Sequence, residues 1–223
     1  MTSVLPTGAG RRTTRNHHGA SASRAAILRA AERVFAEEGL AGARTEAIAR
    51  RAGVNKALLY YYFKSKDALF LAVIEEHLKE FERRTQNVLD SGGCIRAKLL
   101  AYVSMHFDFV SARPFFPILL QRTMLTGGPE LQRLRQRWTL PGMRRLVELI
   151  ERGVREGELR PTHAGHALMS LISLTVHYFA TAPLIRALGG FDPYDEKRLA
   201  ERKREALEFV RFGLFRDPEE PVE

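Results

Sequence analysis

Residues 45–69, TEAIARRAGVNKALLYYYFKSKDAL, decide how this chain folds. They read as two short helices around a glycine, followed by a cluster of tyrosines and lysines. Thr45 is a helix N-cap residue type, Glu46 puts an anion in the first turn where the macrodipole favours it, and Ile48, Ala49 and Ala52 make an inward face. Ala49 is small enough for a second helix to pack closely. Gly53 tolerates positive φ and ends the first helix, and Asn55 is placed to cap the second, Lys56 to about Phe63. Two helices joined by a turn this short cross steeply, which leaves the second free to lie in a DNA major groove.

Charge points the same way independently of the motif. The chain carries 35 Lys and Arg against 26 Asp and Glu, a net +9. Residues 1–66 hold twelve basic and four acidic side chains, a net +8, so the remaining residues are almost balanced. A basic module on a neutral body suits a polyanion, because each Lys or Arg set against a phosphate releases condensed counterions.

The helical pattern continues outward in both directions. Toward the N-terminus a helix beginning after Ser21 or Ser23 carries Ile27, Ala30, Ala31, Val34 and Phe35 on one face, with Gly39 closing it. Residues 1–22 before it read as a flexible basic arm. Its Arg11, Arg12 and Arg15 suit either a minor groove or a leader without a specific role. Toward the C-terminus Ser65 caps a fourth helix that runs to about Leu89, and Ser91-Gly92-Gly93 breaks the chain. The next helix, Ile95 to Ser111, has too many apolar positions for one narrow stripe and is expected at the centre of a body. Pro114 and Pro117 reset the chain into a short helix through Met124. Glu130 to Glu156 is long, with a kink or break expected at Pro141-Gly142. Thr162 is placed to cap a helix from His163 to about Leu188, and a last helix runs through Phe215. The expectation is an all-α protein of about nine helices: a helix-turn-helix unit over 23–66, a helical body over 67–216 and a disordered tail over 217–223.

The wording of RAAILRAAERVFAEEG, RTEAIARRAGV and NKALLYYYFKSKDAL, from about Arg24 to Leu69, resembles TetR-type transcriptional regulators. Beyond Leu89 only the number and lengths of the helices agree. The resemblance implies a DNA-binding head on a helical body that binds a small molecule and forms a homodimer through its last two long helices. It also implies that ligand moves the fourth helix and releases the operator. Matched position by position, it puts phosphate contacts on Thr45, Tyr62 and Lys66. It puts base-facing side chains at Lys56, Ala57, Leu58 and Tyr60, flanked by Arg44 and Glu46, with Tyr61 serving groove or backbone. Many members carry Ser or Thr, then Gly, then Thr or Ser where this chain has Asn55, Ala57 and Leu58, so polar base readout is sparse.

For the body the sequence offers lining candidates rather than a chemistry. His106, Phe107, Phe109, Phe116, Met124, Trp138, Met143, His177 and Tyr178 suit a largely apolar or aromatic effector, and they suit an ordinary helical core as well. His163 and His166 stand three apart on one helix face, but no third metal ligand accompanies them. No phosphate loop, nucleophile elbow, zinc motif or paired-carboxylate signature occurs, so neither an enzyme nor a cofactor is expected. A single cysteine, Cys94, and the lack of a long apolar run fit a cytoplasmic protein with no membrane role.

Overall fold

In a computed structural model of the chain, residues 13–126, 132–133 and 141–219 are described. They form ten helices, which divide into two units, one ending at Val73 and one beginning at Ile74.

The head holds α1 (Thr13–Gly42), α2 (Thr45–Ala52), α3 (Lys56–Phe63) and the start of α4 (Lys66–Asp90). The α1 backbone is helical from Thr13, well before the expected start after Ser21 or Ser23. A serine favours a cap without forcing one, and Gly19 costs a helix only about 1 kcal/mol. Arg15 therefore lies in α1, while Arg11 and Arg12 fall outside the described residues. Gly39 leaves helical geometry at φ 73°, as its position after the apolar stripe predicts. That stripe, Ile27, Ala30, Ala31, Val34 and Phe35, is buried, and the Phe35 ring meets Phe70 of α4 edge-on at 5.2 Å. Ile48, Ala49, Leu59 and Phe63 close the same core.

The body holds the rest of α4 with α5 (Ile95–Ser111), α6 (Phe116–Thr126), α7 (Pro141–Glu156), α8 (Ala164–Ala180), α9 (Ala182–Gly189) and α10 (Glu196–Leu214). Tyr102, Phe107 and Phe109 of α5 are fully buried, which makes α5 the central helix its composition predicts. Cys94 is its N-cap, with Sγ accepting from the Ala97 N–H at 3.4 Å.

Among the described residues Pro141 is the first of a helix, at the place where a kink or break is expected. Its missing N–H is harmless in a first turn, and the Glu82 carboxylate of α4 accepts from the next free donor, Gly142 N–H, at 2.8 Å. The single helix expected over 163–188 is two, α8 and α9, bent by 56°. Pro183 is the cause: it has no N–H to continue the ladder and its ring excludes an interior position. At the break His177 O accepts from both the Thr181 N–H at 3.0 Å and the Thr181 hydroxyl at 2.7 Å. Among the described residues no single helix is long and apolar enough to cross a membrane. The cap of α8 is His163 rather than Thr162, its Nδ1 accepting from His166 N–H, so this histidine pair has a structural use.

At the far end Leu159 and Phe215 form an isolated bridge. Buried Arg96 donates to Asp217 O at 2.8 Å. Asp217, expected to open a loose tail, is thereby held, and residues 220–223 lie outside the described set.

Gly153 of α7 marks the tightest approach in this region. A Cβ there falls 2.7 Å from both Cγ and Cδ1 of buried Leu159, and 3.1 Å from Ile95 Cγ2. Gly153→Ala is expected to lower unfolding free energy by about 1–3 kcal/mol through overpacking, outweighing alanine's better helix propensity. Urea denaturation checks this, and equal or greater stability contradicts it.

Candidate nucleic-acid interface

The turns on either side of α3 follow from three local choices. Gly53 takes the left-handed conformation at φ 69° and its N–H returns to the end of α2. Asn55 Oδ1 then accepts from Leu58 N–H at 2.7 Å, satisfying a free donor of α3. Ser65 Oγ does the same for α4 through Ala68 N–H at 3.0 Å.

Held this way, α3 buries Leu59 and Phe63 and turns Lys56, Ala57, Tyr60 and Tyr61 outward, with Leu58 half-buried. Tyr61 is the most open of them at 71% exposure. Arg44 and Glu46 are also exposed, at the start of α2. Lys56 Nζ donates to Glu46 Oε1 at 2.5 Å and lies 5.8 Å above the Tyr60 ring. Their hydrogen bond, and after it their mutual attraction, lowers the Glu46 pKa and raises that of Lys56.

The residues nominated for phosphate sit differently from one another. Thr45 is the first helical residue of α2, with Arg44 in the N-cap position, so the expected Thr45 cap is displaced by one. It is only 7% exposed, and its hydroxyl lies 3.3 Å from the Tyr60 hydroxyl and 3.4 Å from Glu46 Oε2. Its side chain therefore positions Tyr60. Lys66 Nζ donates to the carbonyls of Ala41 at 3.2 Å and Ala43 at 3.1 Å, closing the end of α1. An ammonium has three donors, so one remains. Tyr62 is half-buried, with its ring against Tyr61 at 5.3 Å. Periodicity gives no sign of the Lys56–Glu46 pair or of the Lys66 carbonyl contacts, because each joins residues from different elements.

The nominated body residues do not form one set. His106, Phe107, Phe109 and Phe116 are buried together with Phe81 and Tyr102. His106 Nδ1 is 3.0 Å from Thr175 Oγ1 of α8, and its ring stacks on Tyr102 at 5.6 Å and lies 5.0 Å from Phe81. The Tyr102 hydroxyl and Thr85 Oγ1 are buried without a hydrogen-bond partner among the described residues. Met143 is half-buried, Met124 is exposed, and Trp138 lies outside the described residues. His177 and Tyr178 line a hollow of about 600 Å³ on the outer side of α8 and α10 instead. Because α8 is apolar nearly all round, its periodicity does not say which face points inward.

Comparison with known proteins places both units. Residues 27–73 match the family described as bacterial regulatory proteins, tetR family, and residues 96–210 match the tetracyclin repressor-like C-terminal domain. The HTH-type transcriptional regulator RutR of Escherichia coli is 31% identical over 194 residues, covering 85% of this chain and 89% of RutR. The HTH-type transcriptional repressor NicS of Pseudomonas putida is 29% identical over 179 residues, 78% of this chain and 84% of NicS. Among solved structures, the ketosteroid transcriptional regulator KstR2 of Mycobacterium tuberculosis shares the fold at a TM-score of 0.71. That match has 19% identity and covers 87% of this chain and 95% of KstR2.

Proposed function

The chain belongs to the tetR family of bacterial regulatory proteins, DNA-binding transcriptional regulators rather than enzymes, and from that premise we propose that it is a homodimeric repressor released from its operator by a small, largely apolar or aromatic effector. The observation that carries the reading is the outward face of α3, where Lys56, Ala57, Tyr60 and Tyr61 are exposed on a helix otherwise anchored by Leu59 and Phe63. Repression is favoured by the likeness to NicS, a transcriptional repressor that aligns with 78% of this chain.

The effector belongs in the body, near the aromatic cluster of Phe81, Tyr102, His106 and Phe109. Rings of this kind offer a ligand dispersion contacts, and the unpartnered hydroxyls of Tyr102 and Thr85 offer it hydrogen bonds that the protein leaves unmade. Helix α4 contributes Lys66–Val73 to the head and Ile74–Asp90 to the body, so it is the covalent route by which an effector acts on the reader. The dimer forms through α8 and α10.

Selection of bound fragments from the source genome, followed by titration with the recovered operator, tests the reading directly. Tight binding with a steep salt dependence is expected, and its absence contradicts the proposal. Lys66→Ala should reduce the salt slope by about 0.9 per head, because the third donor of Lys66 is the one given to phosphate. An unchanged slope would assign Lys66 to the Ala41 and Ala43 carbonyls alone.

A further inference from the structure

A carboxylate on a DNA-reading face needs an explanation, since it repels phosphate wherever it is not matched to a donor. Glu46 is such a residue, with its side chain 61% exposed beside Lys56 at 52%. The two groups are fixed side by side by more than their own contact. Thr45 Oγ1 lies 3.4 Å from Glu46 Oε2, the Tyr60 hydroxyl lies 3.3 Å from Thr45 Oγ1, and Lys56 Nζ is 5.8 Å above the Tyr60 ring. The result is a donor and an acceptor held 2.5 Å apart at the N-terminal ends of α2 and α3. The N-terminal residues of a recognition helix are the ones that meet base edges.

The major-groove edge of a G·C pair presents guanine N7 and O6 as acceptors and cytosine N4 as a donor. O6 and N4 are hydrogen-bonded to each other, so they stand about 2.9 Å apart, close to the spacing of the side-chain pair. Resting on the operator-binding reading above, we propose that Glu46 and Lys56 act as one reader of a single G·C base pair in each half-site, with Lys56 donating to guanine and Glu46 accepting from the cytosine amine. The ion pair stays intact while it reads. Reversing the base pair to C·G sets the amine against the ammonium and O6 against the carboxylate, so both contacts turn repulsive. An A·T pair sets the adenine amine against the ammonium and thymine O4 against the carboxylate. A T·A pair offers the ammonium one acceptor, thymine O4, where guanine offers two, so guanine N7 is what favours G·C over T·A. Because the charges neutralise each other, the pair adds selectivity more than general attraction for DNA.

The test uses the full-length protein and duplexes selected from a randomised pool, with each position of the half-site then changed in turn. Wild type is expected to show one position where G·C to C·G costs about tenfold or more in affinity. Glu46→Ala should flatten that preference and strengthen binding to unrelated duplex, because Lys56 is then free to seek phosphate. The exchange Glu46→Lys with Lys56→Glu keeps an ion pair but reverses donor and acceptor, and it should move the preference to C·G. Thermal melts by circular dichroism confirm that each variant folds. A swapped protein that keeps the wild-type preference overturns the pair reading, and so does an intrinsic preference for A·T at that position. If no duplex is enriched and binding is indifferent to salt, the operator reading itself falls and takes the pair's role with it.

Discussion

Phe209→Arg is expected to turn the dimer proposed above into a monomer and to weaken operator binding by about 100-fold or more. Phe209 of α10 is 70% exposed, far beyond what a lone surface ring needs, and Phe212 on the same helix and Met169 on α8 are also open. Beside them lies the hollow of about 600 Å³, bordered by Ser173, His177, Thr181 and Ile185 and walled on one side by Phe209. One surface thus carries both a projecting aromatic and a cavity, which suits the proposed two-fold interface, where each patch must fit its own copy. Exposed apolar side chains that cluster on one surface mark an interaction site, whereas single ones are ordinary. An arginine at 209 puts an unpaired charge at the centre of that contact. The loss of affinity follows from geometry: two linked heads bind two half-sites with high effective concentration, and a monomer has only one. Gel filtration with light scattering reports the assembly state, and operator titration reports the affinity. A persisting dimer, or a monomer that binds as tightly as wild type, contradicts the assignment.

The features legible in the sequence are those set by residues a few positions apart. Gly53, Asn55 and Ser65 do what their chemistry predicts because a cap or a left-handed turn involves only its own neighbours. Pro183 is equally visible, and it divides the stretch 163–188 although the apolar pattern is strong on both sides of it. Cys94 as a cap is less visible, since sulfur is a weak acceptor and rarely serves at that position. The contacts that define the reader are of another kind. Lys56 reaches Glu46, and Lys66 reaches back to Ala41 and Ala43, across packing between helices that no periodicity encodes. The same holds in the body, where composition nominated His106 and His177 alike. One is buried against Thr175, while the other lines an open surface hollow. His106 lies on central α5, and the rotation of α8 about its axis is what sets Thr175 against it and leaves His177 at the hollow.

His106 should make the body sensitive to acid, removing about 2 kcal/mol of stability between about pH 7.5 and pH 5. The Thr175 hydroxyl is 2.9 Å from Ile172 O and donates there, so its oxygen accepts from the His106 ring, which places the ring proton on Nδ1. Charging the ring would put an imidazolium among Phe81, Tyr102 and the surrounding apolar side chains at 5% exposure. Burial therefore pushes its pKa from 6.5 down to about 4. The sign follows from which state takes up the proton. Between pH 6.5 and pH 4 the unfolded chain binds a proton at this site and the folded chain does not, so stability falls as the pH falls. The limiting slope is about 1.4 kcal/mol per pH unit, and above pH 6.5 the contribution fades. Carboxylates titrate at the acid end of the same range, so the informative quantity is the difference between wild type and His106→Gln, which keeps a donor for Thr175 but cannot be charged. Urea denaturation of both proteins across this range should give curves that converge toward acid, as wild type loses the advantage it holds near neutrality. Parallel curves would mean that the ring is protonated in the folded body, or that the body opens to water around it.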